Sequence, residues 1–290
     1  EQFDPETFER VRQMHYGRRW EIVGGTYLQP DTNLPGTEST VRQILRGQQY
    51  FQSRFGERAR VAWSTDSFGH SAGIPTVFAS AGYEAYACCR MGNAFLEAPT
   101  VFWWEGPDGS RLLVLHPLTG WYGAERHEMP ERLDRLAAIA AERGLAHVPC
   151  PMGLGDHGGG PSRRHLADIR TWAAAHPEVE LRFSGWNGYL DAVKAEIEQG
   201  ALACPVHRGE LNFTLRGCYA SMMPFKALFR ETERALVSAE AAGRLVEEAV
   251  AAPQPDLSAP WDALLLNAFH DILPGTSIER AYHQQFQHLG

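Results

Sequence analysis

The chain has 290 residues, enough for one large domain or for two. Its formal net charge of -8 argues against nucleic-acid and anionic-membrane partners, because both need a basic face. Apolar stretches such as residues 261–269 are too short to span a bilayer. Five cysteines without a Cys-x-x-Cys pair favour reduced thiols, and the start of the chain is polar and acidic. Together these features predict a cytoplasmic location.

Helical and strand-like patterns alternate over the first two thirds of the chain. Helices are predicted at 5–18, 40–51, 72–81, 131–142, 162–175 and 186–199. Strands are predicted at 20–24, 60–64, 83–90, 100–104, 111–116, 148–152 and 179–184, and the fourth and fifth flank a GPDG turn as a hairpin. This alternation predicts an α/β fold with a mainly parallel sheet, either open or closed as a barrel.

The pattern changes near Cys204. Residues 222–250 are almost uninterrupted helix formers, a Pro-rich segment at 253–260 follows, and helical spacing resumes at 261–270. The last third therefore indicates part of a helical bundle. We expect a catalytic α/β domain over residues 1–205 and a helical domain over 206–290.

Asp66 lies in the stretch WSTDSFGHS, directly after the strand predicted at 60–64. A carboxylate among aromatic residues at a strand end loses hydration, which a cation, a hydrogen-bond donor or a metal must offset. Reacting groups of α/β enzymes gather at such strand ends. By residue type alone, a helix N-cap or turn aspartate is the commoner explanation.

A second candidate is GLGDHGGGP at 153–161, whose only ionisable groups are Asp156 and His157. A flexible surface turn explains this composition equally well. A phosphate loop would carry Lys and then Ser or Thr after the glycines, whereas PSRR follows here. A sugar site that uses the carboxylate as an acid or as a hydroxyl acceptor fits better.

Two further segments carry polar residues that are candidates for a functional site. His270 and Asp271 end an apolar helix beside Asn267, just before a Pro-Gly turn. A lone His there is usually a helix C-cap, but the His-Asp pair favours a metal or catalytic role. Asp31, in the loop QPDTN, is suited to a polyol, although such residues are also common turn formers. Glycoside hydrolysis and metal-dependent hydrolysis both fit these carboxylates.

Three motifs, WSTDSFGHS, GDHGGGP and NAFHDILPGTSI, resemble in that order the α-mannosidases of glycoside hydrolase family 38, most closely the bacterial branch. RWEIVGGTYLQPDTN at 19–33 and a block at 209–220 extend the resemblance over nearly the whole chain. It implies a seven-stranded (β/α) barrel followed by a three-helix bundle and β-sandwich domains. It also implies that the chain is a fragment lacking the first barrel strand and the β-rich C-terminal region.

The resemblance implies a role for each site residue. Asp66 would be the nucleophile and a zinc ligand, and His270 a second zinc ligand. The family's other two ligands come from a His-x-Asp motif, which this sequence lacks upstream of Asp66. Asp156 is the candidate acid/base, although Leu154 replaces the histidine of the bacterial pattern and His157 replaces a glycine. The residues expected to line the sugar site are Asp31, Phe68, Arg90, His157 and Asp271.

These expectations describe a zinc-dependent retaining α-mannosidase that acts on mannose-containing oligosaccharides through a covalent glycosyl-enzyme. We expect the isolated chain to bind zinc weakly and to be inactive, because two ligands do not complete a zinc site. A homo-oligomer is compatible with the sequence. Two alternatives stay open at this point: a hydrolase of another glycoside on the same fold, and a non-catalytic carbohydrate-binding protein.

Overall fold

The structure, a computed structural model, describes residues 1–91, 100–119, 121–155, 159–212, 214–251 and 253–290. The strands in this part of the chain are β1 (Val61–Trp63), β2 (Ala85–Ala87), β3 (Val101–Glu105), β4 (Arg111–Leu115) and β5 (Val206–Arg208). The α-helices are α1 (Pro5–Tyr16), α2 (Thr37–Phe55), α3 (Ile74–Ser80), α4 (Met129–Arg143), α5 (Arg163–Ala175), α6 (Trp186–Glu198), α7 (Met223–Val250), α8 (Ser258–Asn267) and α9 (Glu279–Leu289). A 3₁₀ helix spans Arg216–Ala220.

Local sequence signals set several helix boundaries. Pro5 is the first residue of α1, and the side chain of Asp4 accepts a hydrogen bond from the backbone N–H of Thr7 at 2.9 Å. Helices α2 and α4 end at Gly56 and Gly144, which adopt the left-handed conformation that glycine tolerates. These signals explain why helix positions are predictable from the sequence.

The described strands form one sheet in the order β1-β2-β4-β3-β5. The pairs β1–β2, β2–β4 and β3–β5 are parallel, while β3 and β4 form the predicted antiparallel hairpin. The prediction of a mixed α/β fold with a mainly parallel sheet is therefore confirmed. In the described residues this sheet is open, so the seven-stranded barrel is not confirmed.

Three of the predicted strands are wrong. Residues 20–24, 148–152 and 179–184 all lie in the described part of the chain, and none of them forms a strand there. Two backbone hydrogen bonds lie at or beside these segments: Gly24 donates to the carbonyl of Val61 at 2.9 Å, and Ala124 donates to that of Gly153, the residue after 148–152, at 2.7 Å. A strand needs a partner along its length, which apolar composition alone does not provide.

Helices cover both faces of the sheet, because side chains alternate along each strand. In β1, Ala62 packs into a core with Ile44 of α2 and Phe78 of α3. Val61 points to the other face and packs with Leu190 of α6. Burial on both faces is the arrangement expected for parallel strands, and it leaves the strand ends open for a site.

The last third of the chain is helical, as predicted. Helices α7, α8 and α9 pack around one core that includes Phe225, Phe229, Leu264 and Tyr282. None of the helices in the described residues is long and apolar enough to cross a membrane.

Glu233 of α7 links these helices to the start of α2. Its buried carboxylate accepts hydrogen bonds from the backbone N–H of Gly36 at 2.8 Å and from the hydroxyl of Ser39, and it pairs with Arg230 at 2.7 Å. Glu233→Gln should lower the free energy of unfolding of the chain by about 1–2 kcal/mol, measured by urea denaturation. Glu231 is an exposed neighbour on α7, and Glu231→Gln should leave the free energy of unfolding unchanged. Equal losses of stability in the two variants would refute the role of Glu233 in linking α7 to α2.

Candidate active site

The candidate site begins where β1 ends. Asp66 follows Trp63, the last residue of the strand, by three positions. The side-chain oxygen of Gln29 accepts hydrogen bonds from the backbone N–H groups of Thr65 at 2.7 Å and Asp66 at 3.1 Å. These two bonds fix the backbone that carries the Asp66 carboxylate.

Arg90 follows β2 and holds one oxygen of the Asp66 carboxylate. Its Nε donates to Asp66 Oδ1 at 2.6 Å, and its Nη2 donates to the same oxygen. Because β1 and β2 are parallel neighbours, their carboxyl ends bring Asp66 and Arg90 to one edge of the sheet. The structure thus places these two predicted site residues together.

The other oxygen of Asp66 faces two different groups. His270 Nε2 lies 3.4 Å from Asp66 Oδ2, and the hydroxyl of Tyr122 donates to that oxygen at 3.3 Å. Burial is the largest influence on this carboxyl and opposes its ionisation. Hydrogen bonds and charges from His270 and Arg90 outweigh burial and lower the pKa of Asp66 to about 2. Asp66 is therefore an anion at neutral pH.

His270 reaches the site from the helical region, three residues after α8 ends. Its Nδ1 lies 2.8 Å from the backbone carbonyl of Gln29, and its side chain is only 5% exposed. A carbonyl oxygen only accepts, so Nδ1 carries a hydrogen and Nε2 is the atom that faces Asp66. Burial opposes the charged imidazole, but hydrogen bonds to Asp66 and Gln29 outweigh it and raise the pKa of His270.

Two aromatic rings hold the Arg90 guanidinium in place. Its Cζ lies 5.5 Å from the ring centroid of Phe68 and 4.8 Å from that of Trp121. Cation–π contacts of this kind attract the guanidinium and fix its orientation. Phe68 is buried and also contacts His270 edge to face at 6.3 Å, so it touches both partners of Asp66.

The remaining predicted residues differ in their surroundings. Asp271 is half exposed, with Oδ2 3.7 Å from His270 Nε2. Asp31 is buried, and its carboxylate accepts hydrogen bonds from the backbone N–H groups of Asn33 and Leu34 and from the hydroxyl of Tyr219. Burial, the largest influence, raises the pKa of Asp31 despite these bonds.

Both carboxylate oxygens of Asp31 accept hydrogen bonds from protein donors. In this structure Asp31 therefore stabilises the loop of residues 29–34. A direct sugar contact by Asp31 stays a prediction. Asp156 and His157, the candidate acid/base and its neighbour, lie outside the described residues. Their roles also stay predictions.

Three residues of the site carry no role in the sequence interpretation: Gln29, Trp121 and Tyr122. Gln29 lies inside the block at 19–33, but its sequence position does not reveal that its side chain and its carbonyl face the site. Trp121 and Tyr122 follow β4, whose carboxyl end lies beside that of β2. An aromatic pair after a predicted strand is the signal that points to them.

Comparison with known protein families identifies the chain. The model described as Glycosyl hydrolases family 38 N-terminal domain matches residues 1–210, and the model described as Alpha mannosidase middle domain matches residues 214–290. The chain belongs to glycosyl hydrolase family 38. The two matched ranges follow each other along the sequence, as the predicted α/β and helical regions do.

Curated proteins and a solved structure resemble this family 38 chain. Alpha-mannosidase 2C1 of Homo sapiens is 31% identical over 98% of the chain, and an Alpha-mannosidase of Saccharomyces cerevisiae is 30% identical over 90%. The chain spans only 27% and 25% of the lengths of these relatives. The crystal structure of an alpha-mannosidase from Enterococcus faecalis V583 matches with a TM-score of 0.75 at 24% identity, covering 99% of this chain and 34% of that one. This last likeness supports the fold.

The lowered pKa of Asp66 predicts that the stability of this family 38 chain depends on pH, and this dependence is testable without substrate. Its folded-state pKa lies below the usual carboxyl value of about 4, so its interactions stabilise the fold fully above that pH. They are lost as the pH falls toward 2. In urea denaturation with a chelator present, the wild-type chain should lose stability between pH 4 and pH 2 more steeply than Asp66→Asn. Parallel curves would contradict the assigned interactions.

Proposed function

We propose that the full-length protein that carries this chain is a retaining α-mannosidase in which Asp66 is the nucleophile. The observation that carries the proposal is the state of this carboxylate: ionised, fixed by Arg90 and Gln29, and only 16% exposed. A nucleophilic carboxylate must be deprotonated and aimed at the anomeric carbon. Family membership and the names of the relatives support mannose as the sugar.

We further propose that zinc binds between Asp66 and His270. Their facing atoms, Oδ2 and Nε2, are 3.4 Å apart, and a proton or a metal between them would relieve the repulsion of two lone pairs. A carboxylate oxygen and an imidazole nitrogen are both donor types that zinc prefers. The two residues thus fit as part of a zinc site.

Further ligands would have to come from other residues. Among the residues that the structure describes, no group of three or more His, Cys, Asp or Glu side chains is arranged to hold a metal. A zinc ion held by Asp66 and His270 would supply a Lewis acid for sugar hydroxyls and keep the carboxylate ionised.

The chain's own residues account for the covalent half of the reaction. Asp66 would attack the anomeric carbon, and Arg90 would keep the carboxylate charged and oriented until then. The hydroxyl of Tyr122 donates to Oδ2 and would help to orient the carboxylate. Phe68, beside both Arg90 and His270, would form one wall of the sugar pocket.

A second carboxyl must protonate the leaving oxygen and then activate water for hydrolysis of the glycosyl-enzyme. We propose Asp156 for this role, with His157 and Asp271 among the residues that contact sugar hydroxyls. The seven-stranded barrel of the whole enzyme belongs to the same proposal.

A panel of nitrophenyl glycosides, assayed with the full-length protein, tests this function. We expect the highest kcat/KM on the α-mannoside, with α-mannose as the anomer first detected by NMR, because a double displacement retains configuration. Faster cleavage of another sugar would favour a different glycosidase on this fold. Binding of mannosides without turnover, unaffected by Asp66→Asn, would favour a non-catalytic carbohydrate-binding protein.

A further inference from the structure

Lys226 is a buried cation in the first turn of α7. The chain has only two lysines, and the other one, Lys194, has a side chain that is 38% exposed and pairs with Glu84. Lys226, by contrast, is only 6% exposed. A buried lysine normally has an acidic partner, and a cation near a helix N-terminus opposes the helix dipole. The groups around the ammonium of Lys226 must therefore offset both effects.

These groups are backbone carbonyls. Nζ of Lys226 donates to the carbonyl oxygens of Pro274 at 2.9 Å, Tyr219 at 3.0 Å, Cys218 at 3.3 Å and Ser221. An ammonium carries three N–H donors on one compact centre, which suits oxygens that converge on it, whereas a guanidinium is planar. Lys226 thereby joins two segments of the chain, residues 218–221 before α7 and the turn that contains Pro274 after α8.

The first of these segments needs support, because the residues on either side of its 3₁₀ helix are strained. Leu215, before that helix, has φ 56°, and Met222, at the start of α7, has φ 50°. The left-handed region is unfavourable for residues that carry a Cβ, so they remain there only where surrounding contacts hold them. The hydrogen bonds from Lys226 to residues 218–221 are contacts of this kind.

Both segments that Lys226 joins lead to the candidate site. The hydroxyl of Tyr219, in the first segment, donates to Asp31 Oδ2 at 2.9 Å. The second segment follows His270, whose Nδ1 lies 2.8 Å from the backbone carbonyl of Gln29. Asp31 and Gln29 belong to the same loop, residues 29–34, and the side chain of Gln29 fixes the backbone that carries the candidate nucleophile. Both segments therefore hold one loop of the site.

We infer that Lys226 is a positioning residue for this site: its ammonium holds the segments that place Tyr219 against Asp31 and His270 against Gln29. This inference rests on the proposed function, because it assigns a residue that keeps the active site assembled. Every partner of Nζ in the described part of the chain is a backbone oxygen, so Lys226 acts through other residues. Its loss should weaken catalysis without removing any group that touches the sugar.

The test is chemical rescue of the full-length protein, with an aryl α-mannoside as substrate. Lys226→Ala should lower kcat/KM by about 10- to 100-fold, the scale seen when groups that orient ligands of a site are removed. Adding n-propylammonium, which has the carbons and the ammonium that alanine lacks, should restore most of kcat/KM. Tetramethylammonium at the same concentration should not, because it carries the charge but no N–H donor.

Lys194→Ala is the matched control, since it removes the chain's other lysine from an exposed ion pair. It should keep wild-type kcat/KM and should not respond to n-propylammonium. Lys226→Met guards against a folding defect, because it fills the space of the lysine stem and removes only the ammonium. This variant should show the same loss without rescue, and urea denaturation measures how much of each variant is folded. Wild-type kcat/KM in Lys226→Met, or equal rescue of Lys226→Ala by both cations, would overturn the inference.

Tyr219→Phe tests the branch that leads to Asp31. Losing this one hydrogen bond should lower kcat/KM about fivefold in the wild-type background and clearly less in Lys226→Met, where Tyr219 is no longer held in place. Additive losses in the double variant would contradict the connection between Lys226 and Asp31. If the wild-type protein cleaves no α-mannoside, the proposed function fails, and the positioning role fails with it. If only the variants depart from expectation, the proposed function stands and the role of Lys226 is refuted.

Discussion

Asp66→Asn in the full-length protein should lower kcat/KM on α-mannosides by a factor on the order of 10⁴, the scale seen when one member of a catalytic group is removed. The amide is nearly the same size as the carboxylate, so the loss would report chemistry. Asn lacks the negative charge that Arg90 and His270 stabilise, and its amide is a poor nucleophile.

The control for this variant is Asp191→Asn. Asp191 also pairs with an arginine, its Oδ1 lying 2.7 Å from Arg60 Nη2, but it is 60% exposed and belongs to α6. We expect wild-type kinetics for Asp191→Asn. An Asp66→Asn enzyme that keeps a tenth or more of wild-type kcat/KM would show that another group attacks the sugar.

His270→Ala should abolish the proposed zinc binding and lower kcat by at least about 100-fold, since loss of groups that only orient metal ligands already costs 10- to 100-fold. Its Nε2 faces Asp66 from the helical region, and its Nδ1 is fixed by the Gln29 carbonyl. Zinc content after dialysis and kcat on an aryl α-mannoside measure the two effects together.

His283→Ala serves as the matched control, because His283 lies on α9 with a side chain that is 73% exposed. It should keep both zinc and activity. Full zinc content in His270→Ala would contradict the proposed ligand, whatever its kinetics. Zinc loss without a loss of kcat would contradict the role of the metal.

Much of the fold was predictable because helices carry their own signals. Apolar spacing, Asp4 at an N-cap and Gly56 and Gly144 at helix ends are local features. The β3–β4 hairpin was equally local, with its turn at 106–109. The wrong strands at 20–24, 148–152 and 179–184 have the right composition, but pairing depends on distant segments that composition does not describe.

The residues of the site also fall into two groups, those that the sequence predicts and those that only the structure reveals. Asp66 and His270 belong to motifs that the family resemblance singled out, and the resemblance also assigned Arg90 to the sugar site. The structure brings Asp66 within hydrogen-bond distance of Arg90 and close to His270. Gln29 contacts the site through its side-chain amide and its backbone carbonyl, and Tyr122 through its hydroxyl. No sequence motif encodes the directions in which these groups point. Such groups become visible only once the sheet and the helical region are packed together.

The most direct measurement is to trap the covalent intermediate in the full-length protein. A fluorinated α-mannosyl fluoride, which slows hydrolysis of the glycosyl-enzyme, would be followed by proteolysis and mass spectrometry. We predict one mannosyl adduct, on Asp66, that is missing in Asp66→Asn. An adduct on a different carboxylate, or consumption of the reagent with no adduct at all, would contradict the assignment of Asp66 as the nucleophile.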